Sequence, residues 1–175
     1  MVEALISLRD VGKRYKSGTI ALAHLDLSIH AGEFLTLLGP SGCGKSTALA
    51  IIAGIETASS GEVLRALPRE HGAIGFVFQD PTLMPWASVH ENVRLPLRLA
   101  HAEEAAANAA VSQTLQRVGL AEFAQSYPRE LSGGMKMRAS LARAFVTEPQ
   151  VLLMDEPFAA LDEITRFKLN NDLLT

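Results

Sequence analysis

The chain has 175 residues, 48% apolar and 20% charged, with a formal net charge of −3. Its 16 Lys and Arg are scattered, which argues against a nucleic-acid-binding face. A single cysteine, Cys43, rules out an internal disulfide and fits a reduced cytoplasm.

No secretory leader is expected, since Glu3 precedes any apolar run. No apolar run approaches the roughly 20 residues that cross a bilayer, so any membrane link is expected to go through a partner. The length suits one domain with an inserted subdomain. In Leu25-Asp26-Leu27-Ser28-Ile29-His30 apolar and polar residues alternate, as on a half-buried strand. A turn at Ala31-Gly32-Glu33 leads into residues 34–38, whose only polar member is Thr36. This run is expected to be a strand covered on both faces. A helix should follow residue 44, with Leu49, Ile51, Ile52 and Ala53 inward and Gly54 at its end. Ser59-Ser60-Gly61 reads as another turn, and residues 74–78 as a second apolar strand.

The texture then becomes helical. Ser88 and Glu91 form a capping box, and Pro96 should kink or stop the helix it opens. Residues 102–118 are Ala-rich, with Val111, Leu115 and Val118 on one stripe and Gly119 closing the segment. Strand character returns at residues 151–154. The expected domains are a core with a β subdomain at 1–84, an inserted helical subdomain at 85–146, and the core resumed at 147–175.

Residues 39–46 match G-x-x-x-x-G-K-[ST], with Gly39, Gly44, Lys45 and Ser46 at the fixed positions and Pro40, Ser41, Gly42 and Cys43 between them; Thr47 follows. Glycines let backbone N–H groups turn inward and cradle a phosphate, and the following helix N-terminus adds partial positive charge. Lys45 reaches the β/γ-phosphates and the Ser46 hydroxyl can ligate Mg²⁺. Cys43 is best read as a small filler residue. Asp155 and Glu156 end the 151–154 strand at its carboxyl edge, where ligands sit in open α/β sheets. Asp155 suits a Mg²⁺ shell. Glu156 suits orienting or deprotonating a water, although neighbours on a strand face apart unless the chain turns. Leu131-Ser132-Gly133-Gly134-Met135 opens a further helix, with Ser132 as N-cap and exposed first N–H groups, a second anion site.

Taken in order, these residues resemble the ATP-binding subunit of an ABC transporter. The resemblance covers Tyr15, residues 39–47, Gln79, residues 131–135, residues 151–156 and Ala160-Leu161-Asp162. Within that family, residues 79–86 and 155–162 look like the nitrate/sulfonate/taurine importer group. The resemblance implies an α/β P-loop NTPase core with a mainly parallel sheet, an N-terminal antiparallel β subdomain and the inserted helices. It implies that Tyr15 stacks on adenine, that Gln79 ligates Mg²⁺ or the attacking water, and that Glu156 is the catalytic carboxylate. Ser132, Gly133, Gly134 and Met135 would contact ATP held by a second copy, with Asp162 at the dimer seam. Two copies, or a paired ATPase subunit, would sandwich two ATP molecules. The assembly would sit on permease subunits at the cytoplasmic face of the inner membrane, served by a solute-binding protein. Trp86 is either part of the groove for a permease helix or a simple core aromatic. Met135 and Met137 stand where the family more often has Gln, and Met137 loses a polar contact.

Only 19 residues follow Glu156, and none of His24, His30, His71, His90 or His101 can be the switch histidine that this family carries beyond the acidic strand. A truncated C-terminus is therefore expected, with leucines of the 164–174 helix awaiting a cover. The leading function is an importer ATPase. The alternative is a truncated module that binds ATP with little turnover. An ABC protein of DNA repair or translation, and a P-loop kinase, are weaker readings.

Overall fold

A computed structural model describes residues 4–67 and 72–156, in two compact units divided as Met1–Arg69 and Glu70–Thr175. The first unit is built on a three-stranded antiparallel sheet in the order β2-β1-β3, with β1 at Ala4–Arg14, β2 at Ile20–His30 and β3 at Ser60–Arg65. The central strand β1 carries the buried side chains Ile6, Leu8 and Val11. On β2 the alternation holds: Leu25, Leu27 and Ile29 are half-buried, while Asp26 and Ser28 are exposed. Helix α1, Lys45–Ala53, buries Ala48, Ile51 and Ile52, leaves Leu49 and Ala53 half-buried, and ends on Gly54 in the left-handed conformation.

Two expectations fail in this unit. Residues 34–38 form no strand: Phe34 is 85% and Leu38 89% exposed, and none of the five makes a backbone hydrogen bond among the described residues. A strand is defined by its partners, and among the described residues the unit's three strands pair only with one another, so no strand partners the apolar run. Ser60 and Gly61 begin β3 rather than making a turn. Gly61 has φ 79, and a Cβ on it would stand 2.3 Å from the Asp10 carbonyl, so only glycine admits this approach to the irregular stretch of β1 between Arg9 and Gly12. The turn composition was real, but it marks a bulge.

In the second unit β4, Ile74–Val77, and β5, Val151–Met154, lie parallel, with Val77 opposite Met154. Between them in sequence come α2 (Val89–Leu99), α3 (Glu104–Arg117) and α4 (Gly133–Phe145), with single 3-10 turns at Ala121–Phe123 and Pro128–Glu130. The helices share a core of Val89, Val93, Val111, Leu115, Val118, Leu120 and Leu131 against the Ala139 and Ala142 side of α4. The opposite side of α4, with Met137, Leu141 and Ala144, packs on Val77 of β4. Buried side chains of this size stabilise by about 1.5–3 kcal/mol each, so α4 is held from both sides far more firmly than its own propensity would hold it. Gly75 permits the close approach, since a Cβ there would lie 2.7 Å from the Ala144 carbonyl.

The capping box forms as expected: the Ser88 hydroxyl accepts from the Glu91 N–H and the Glu91 carboxylate accepts from the Ser88 N–H. These bonds pull the Glu91 carboxyl below its ordinary value. Pro96 does not stop α2, which continues to Leu99. Packing of the helix against its neighbours outweighs the single backbone bond that a proline removes.

Candidate phosphate-binding site

The phosphate loop belongs to the first unit, and both ends of its helix are anchored there. At the C-terminal end, Arg65 of β3 donates from Nε to the Ile52 carbonyl at 3.0 Å and from Nη2 to the Ile51 carbonyl, a cation against the negative end of the helix. At the N-terminal end, Gly44 lies against β2 so closely that a Cβ would stand 2.3 Å from the Ala21 carbonyl oxygen. Gly42 and Gly44 have φ 80 and 98, the conformation that turns successive N–H groups toward one point. No acidic residue occupies the first turn of α1, so the dipole at its N-terminus faces no competing carboxylate there.

Lys45 folds back over this loop, its Nζ donating to the carbonyls of Gly39 at 3.0 Å and Pro40 at 3.1 Å. A Cβ on Gly39 would come within 2.6 Å of the exposed Cys43 sulfur, so a larger residue there would make that side chain swing aside. Cys43, Pro40, Ser41 and Ser46 are exposed on the loop. Tyr15, at the start of the β1–β2 turn, brings its hydroxyl to 3.3 Å from the Thr47 hydroxyl. The structure therefore gathers Tyr15 and residues 39–47 into one site. The Lys13 ammonium stands 5.1 Å from the centre of the Tyr15 ring and is itself held by Glu56 at 2.6 Å and the Thr57 carbonyl at 2.8 Å. Tyr15 is 37% exposed at the rim of the loop.

In the second unit the carboxyl edge of the parallel pair collects the remaining oxygens. The Asp155 N–H donates to the Val77 carbonyl at 2.9 Å, extending the ladder by one bond and burying Asp155 beside the end of β4. Gln79 follows two residues after β4 and is exposed. At Glu156 φ is 46, so the chain does turn there, and the residue is exposed. Asp155 and Glu156 are thus freed from the strand rule that would point them to opposite faces. Within this unit the Gln79 amide oxygen and the Asp155 carboxylate are hard oxygen donors of the kind that Mg²⁺ takes; the Ser46 hydroxyl, a third such donor, belongs to the first unit.

The helix start at Ser132 is formed as its sequence suggests. Ser132 caps α4, its hydroxyl accepting from the Met135 N–H at 3.3 Å. The N–H groups of Gly133 and Gly134 stand at the helix start, where no intrahelical acceptor exists. Gly133 is exposed, with nothing within 4 Å of a Cβ placed on it. Met135 is half-buried against the helical core. Met137 is fully buried beside Val77 and Leu141, so an apolar side chain fits this position and no lost polar contact is felt. Trp86 is 77% exposed, which overturns its reading as a core aromatic. Asp162 and the 164–174 helix lie outside the described residues.

Two residues escaped the sequence reading. Asn92, fully buried in α2, accepts from the Met84 N–H at 2.7 Å and donates to the carbonyls of Met84, Ala87 and Ser88 at 3.1, 3.1 and 3.0 Å. Arg143 of α4 reaches the same segment further upstream. A polar residue on the apolar face between Val89 and Val93 is the one sequence signal that pointed to Asn92; nothing local pointed to Arg143.

The family profile described as ABC transporter matches residues 22–159. The chain belongs to the ABC transporter family. An ATP-binding protein of Brucella abortus is 44% identical over 172 residues, covering 97% of this chain and 66% of the relative. The aliphatic sulfonates import ATP-binding protein SsuB 1 of Pseudomonas savastanoi is 43% identical over 175 residues, 99% of this chain and 69% of the relative. This ABC chain thus spans about two thirds of the length of these relatives. Among solved structures, the dimeric ATP-binding cassette MJ0796 bound to ADP and Pi superposes with a TM-score of 0.87 at 34% identity, over 96% of this chain and 81% of the other. CbiO1 of Clostridium perfringens, part of the transporter complex cbiONQ, gives 0.82 at 30%, over 98% and 73%. An ABC ATPase fold with an N-terminal antiparallel sheet, a helical region and a parallel strand pair is thereby established for the chain.

Proposed function

We propose that this chain binds ATP with Mg²⁺ and hydrolyses it as the energising subunit of an importer for a small solute such as a sulfonate, taurine or nitrate. The observation that carries the reading is the phosphate loop: two left-handed glycines, a helix start without acids, and Lys45 and Tyr15 on its rim. The similarity to named sulfonate-import ATP-binding proteins supports the transport role. The metal, once bound, supplies positive charge against the phosphate oxygens.

In this reading residues 39–47 grip the β- and γ-phosphates and Tyr15 stacks on adenine. Ser46, Gln79 and Asp155 are the metal's protein ligands. Glu156 takes a proton from, or orients, the attacking water. Gly133 and Gly134, with Ser132 and Met135, close on the γ-phosphate held by another copy, and Asp162 lies at the seam. One compact chain does not need two anion sites for one phosphate, which favours a head-to-tail pair, and the dimeric relative supports a pairing of two copies. Residues 1–84 and 147–175 serve as the core and 85–146 as the helical subdomain. The exposed ring of Trp86 then meets a permease helix. Residues near it are tied down by Val89 N–H to Ser126 O and His90 N–H to Ala124 O, at 2.9 and 2.8 Å, so the surface is preformed. No described helix is long and apolar enough to cross a membrane, and the proposed location is peripheral, on the cytoplasmic face of the inner membrane.

ATP turnover of the natural protein against its Glu156→Gln variant tests this. The expected result is ATP binding by both and a loss of turnover of about 100-fold or more in the variant. Binding by both with turnover by neither would refute the ATPase reading. Co-purification of the natural protein with a polytopic membrane protein tests the importer role; nucleic-acid binding in its place would refute it.

A further inference from the structure

The segment between Gln79 and Trp86 has no regular secondary structure, yet it is fastened from two helices. Asn92 of α2 holds Met84 through both its N–H and its carbonyl. From α4, Arg143 donates through Nη1 to the Thr82 carbonyl at 2.9 Å, and through Nη2 to the Pro81 carbonyl at 3.0 Å and the Thr82 hydroxyl at 2.9 Å. Thr82 has φ 45, a left-handed conformation that a β-branched residue adopts only when its surroundings impose it. Arg143 is half-buried and forms no ion pair among the described residues, and its described side-chain partners are these three loop oxygens. Burial pulls it below its ordinary value, but an arginine stays charged. A charged group held at that cost, by a segment strained to meet it, does more than fill space.

The same helix carries Ser132 at its other end. Arg143 lies eleven positions along from Ser132, about 16 Å at 1.5 Å per residue. A helix buried on both sides transmits position along its length as a rigid rod.

We propose that Arg143 is a positioning residue for hydrolysis: it fastens the segment after Gln79 to the helix that begins at Ser132, so that one frame sets both the Gln79 amide and the anion-facing helix start. The proposal rests on the ATPase reading above. A planar fork is required, because one donor group must reach two successive carbonyls and a hydroxyl at once, which a lysine ammonium on a flexible stem does poorly.

The test is Arg143→Lys, with Arg143→Ala beside it, in the natural protein. Three quantities are read: affinity for ATP, kcat for ATP hydrolysis, and amide hydrogen exchange at residues 80–84. The phosphate loop does not include Arg143, so ATP affinity should stay within about twofold. Turnover should fall about tenfold or more, and exchange at 82–84 should rise about tenfold. Arg143→Lys keeps the charge and the stem, so it remains readable even if Arg143→Ala fails to fold. Turnover within about twofold of the parent overturns the proposal. So does a loss of ATP affinity in step with turnover, which marks a structural role only. Unchanged exchange overturns the fastening itself, and that measurement stands even if the parent protein hydrolyses no ATP and the ATPase reading falls.

Discussion

Asn92→Ala should destabilise the second unit by roughly 2–4 kcal/mol, and the figure follows from which partners have a substitute. From a fully buried position Asn92 accepts one hydrogen bond and shares its two amide hydrogens among three carbonyls. The Ser88 carbonyl keeps the backbone N–H of residue 92 at 2.9 Å, and the Met84 carbonyl keeps the Ala87 N–H at 3.2 Å. The Met84 N–H and the Ala87 carbonyl lose the only partner they have among the described residues. Each such orphan costs about 1–3 kcal/mol when water is excluded. Met84 is half-buried and regains some water, which favours the lower part of the summed range. Urea unfolding followed by circular dichroism reads the effect. With a slope of about 1–2 kcal/mol/M, a loss of 3 kcal/mol lowers the midpoint by roughly 1.5–3 M. Asn92→Asp keeps the oxygen that faces Met84 and loses the amide donors, so its deficit should shrink as acid protonates the carboxyl and restores one donor. A loss below about 0.5 kcal/mol for Asn92→Ala would refute the reasoning, because it would mean that water or a rearranged loop satisfies both orphans.

Further outcomes follow from the same geometry. Gly44→Ala should weaken ATP binding about tenfold or more, since its Cβ meets the Ala21 carbonyl at 2.3 Å, whereas Gly42→Ala, with open space around it, should cost only the left-handed penalty of about 1 kcal/mol; calorimetric titration of both variants with ATP checks the contrast. The Ser140 hydroxyl is fully buried with no hydrogen-bond partner among the described residues, so Ser140→Ala should leave the melting temperature unchanged or raise it, by up to about 1 kcal/mol in stability. His24 should titrate above its ordinary 6.5, held there first by its hydrogen bond to Asp10 and then by that carboxylate's charge. The stabilising contact is complete below 6.5 and is lost as pH rises through the elevated folded value. An NMR titration of the ring protons, repeated after Asp10→Asn, should show the value fall back.

What could be read from the sequence was what is decided locally. Ser88 and Glu91 lie three residues apart and complete their box without help from elsewhere. The stripe of Val111, Leu115 and Val118 needs only a helix period to declare its buried face. The phosphate loop is likewise local, since Gly42, Gly44 and Lys45 shape it from within. Failures came where a distant partner decides. Residues 34–38 have the composition of a strand, but a strand needs a ladder edge that composition does not reveal. Gly61 was read as a turn because its purpose, close approach to Asp10, lies about 50 residues away in sequence. Of the kink or stop that Pro96 suggests, the stop does not occur, since α2 runs on to Leu99. Arg143 meets Thr82 across 61 positions, and only folding brings them together.

The central claim is that the phosphate loop is half of a site completed by the Ser132 helix of a second copy. Sedimentation of the Glu156→Gln form of the natural protein, with and without ATP and Mg²⁺, tests it most directly. Monomers are expected without nucleotide and dimers with it. Adding Gly133→Asp should abolish dimerisation while leaving ATP binding and the melting temperature in place. The space around Gly133 is open and an acid is welcome at a helix start, so only the facing phosphate is repelled. Dimers that persist with Gly133→Asp, or no dimers at saturating ATP, would contradict it.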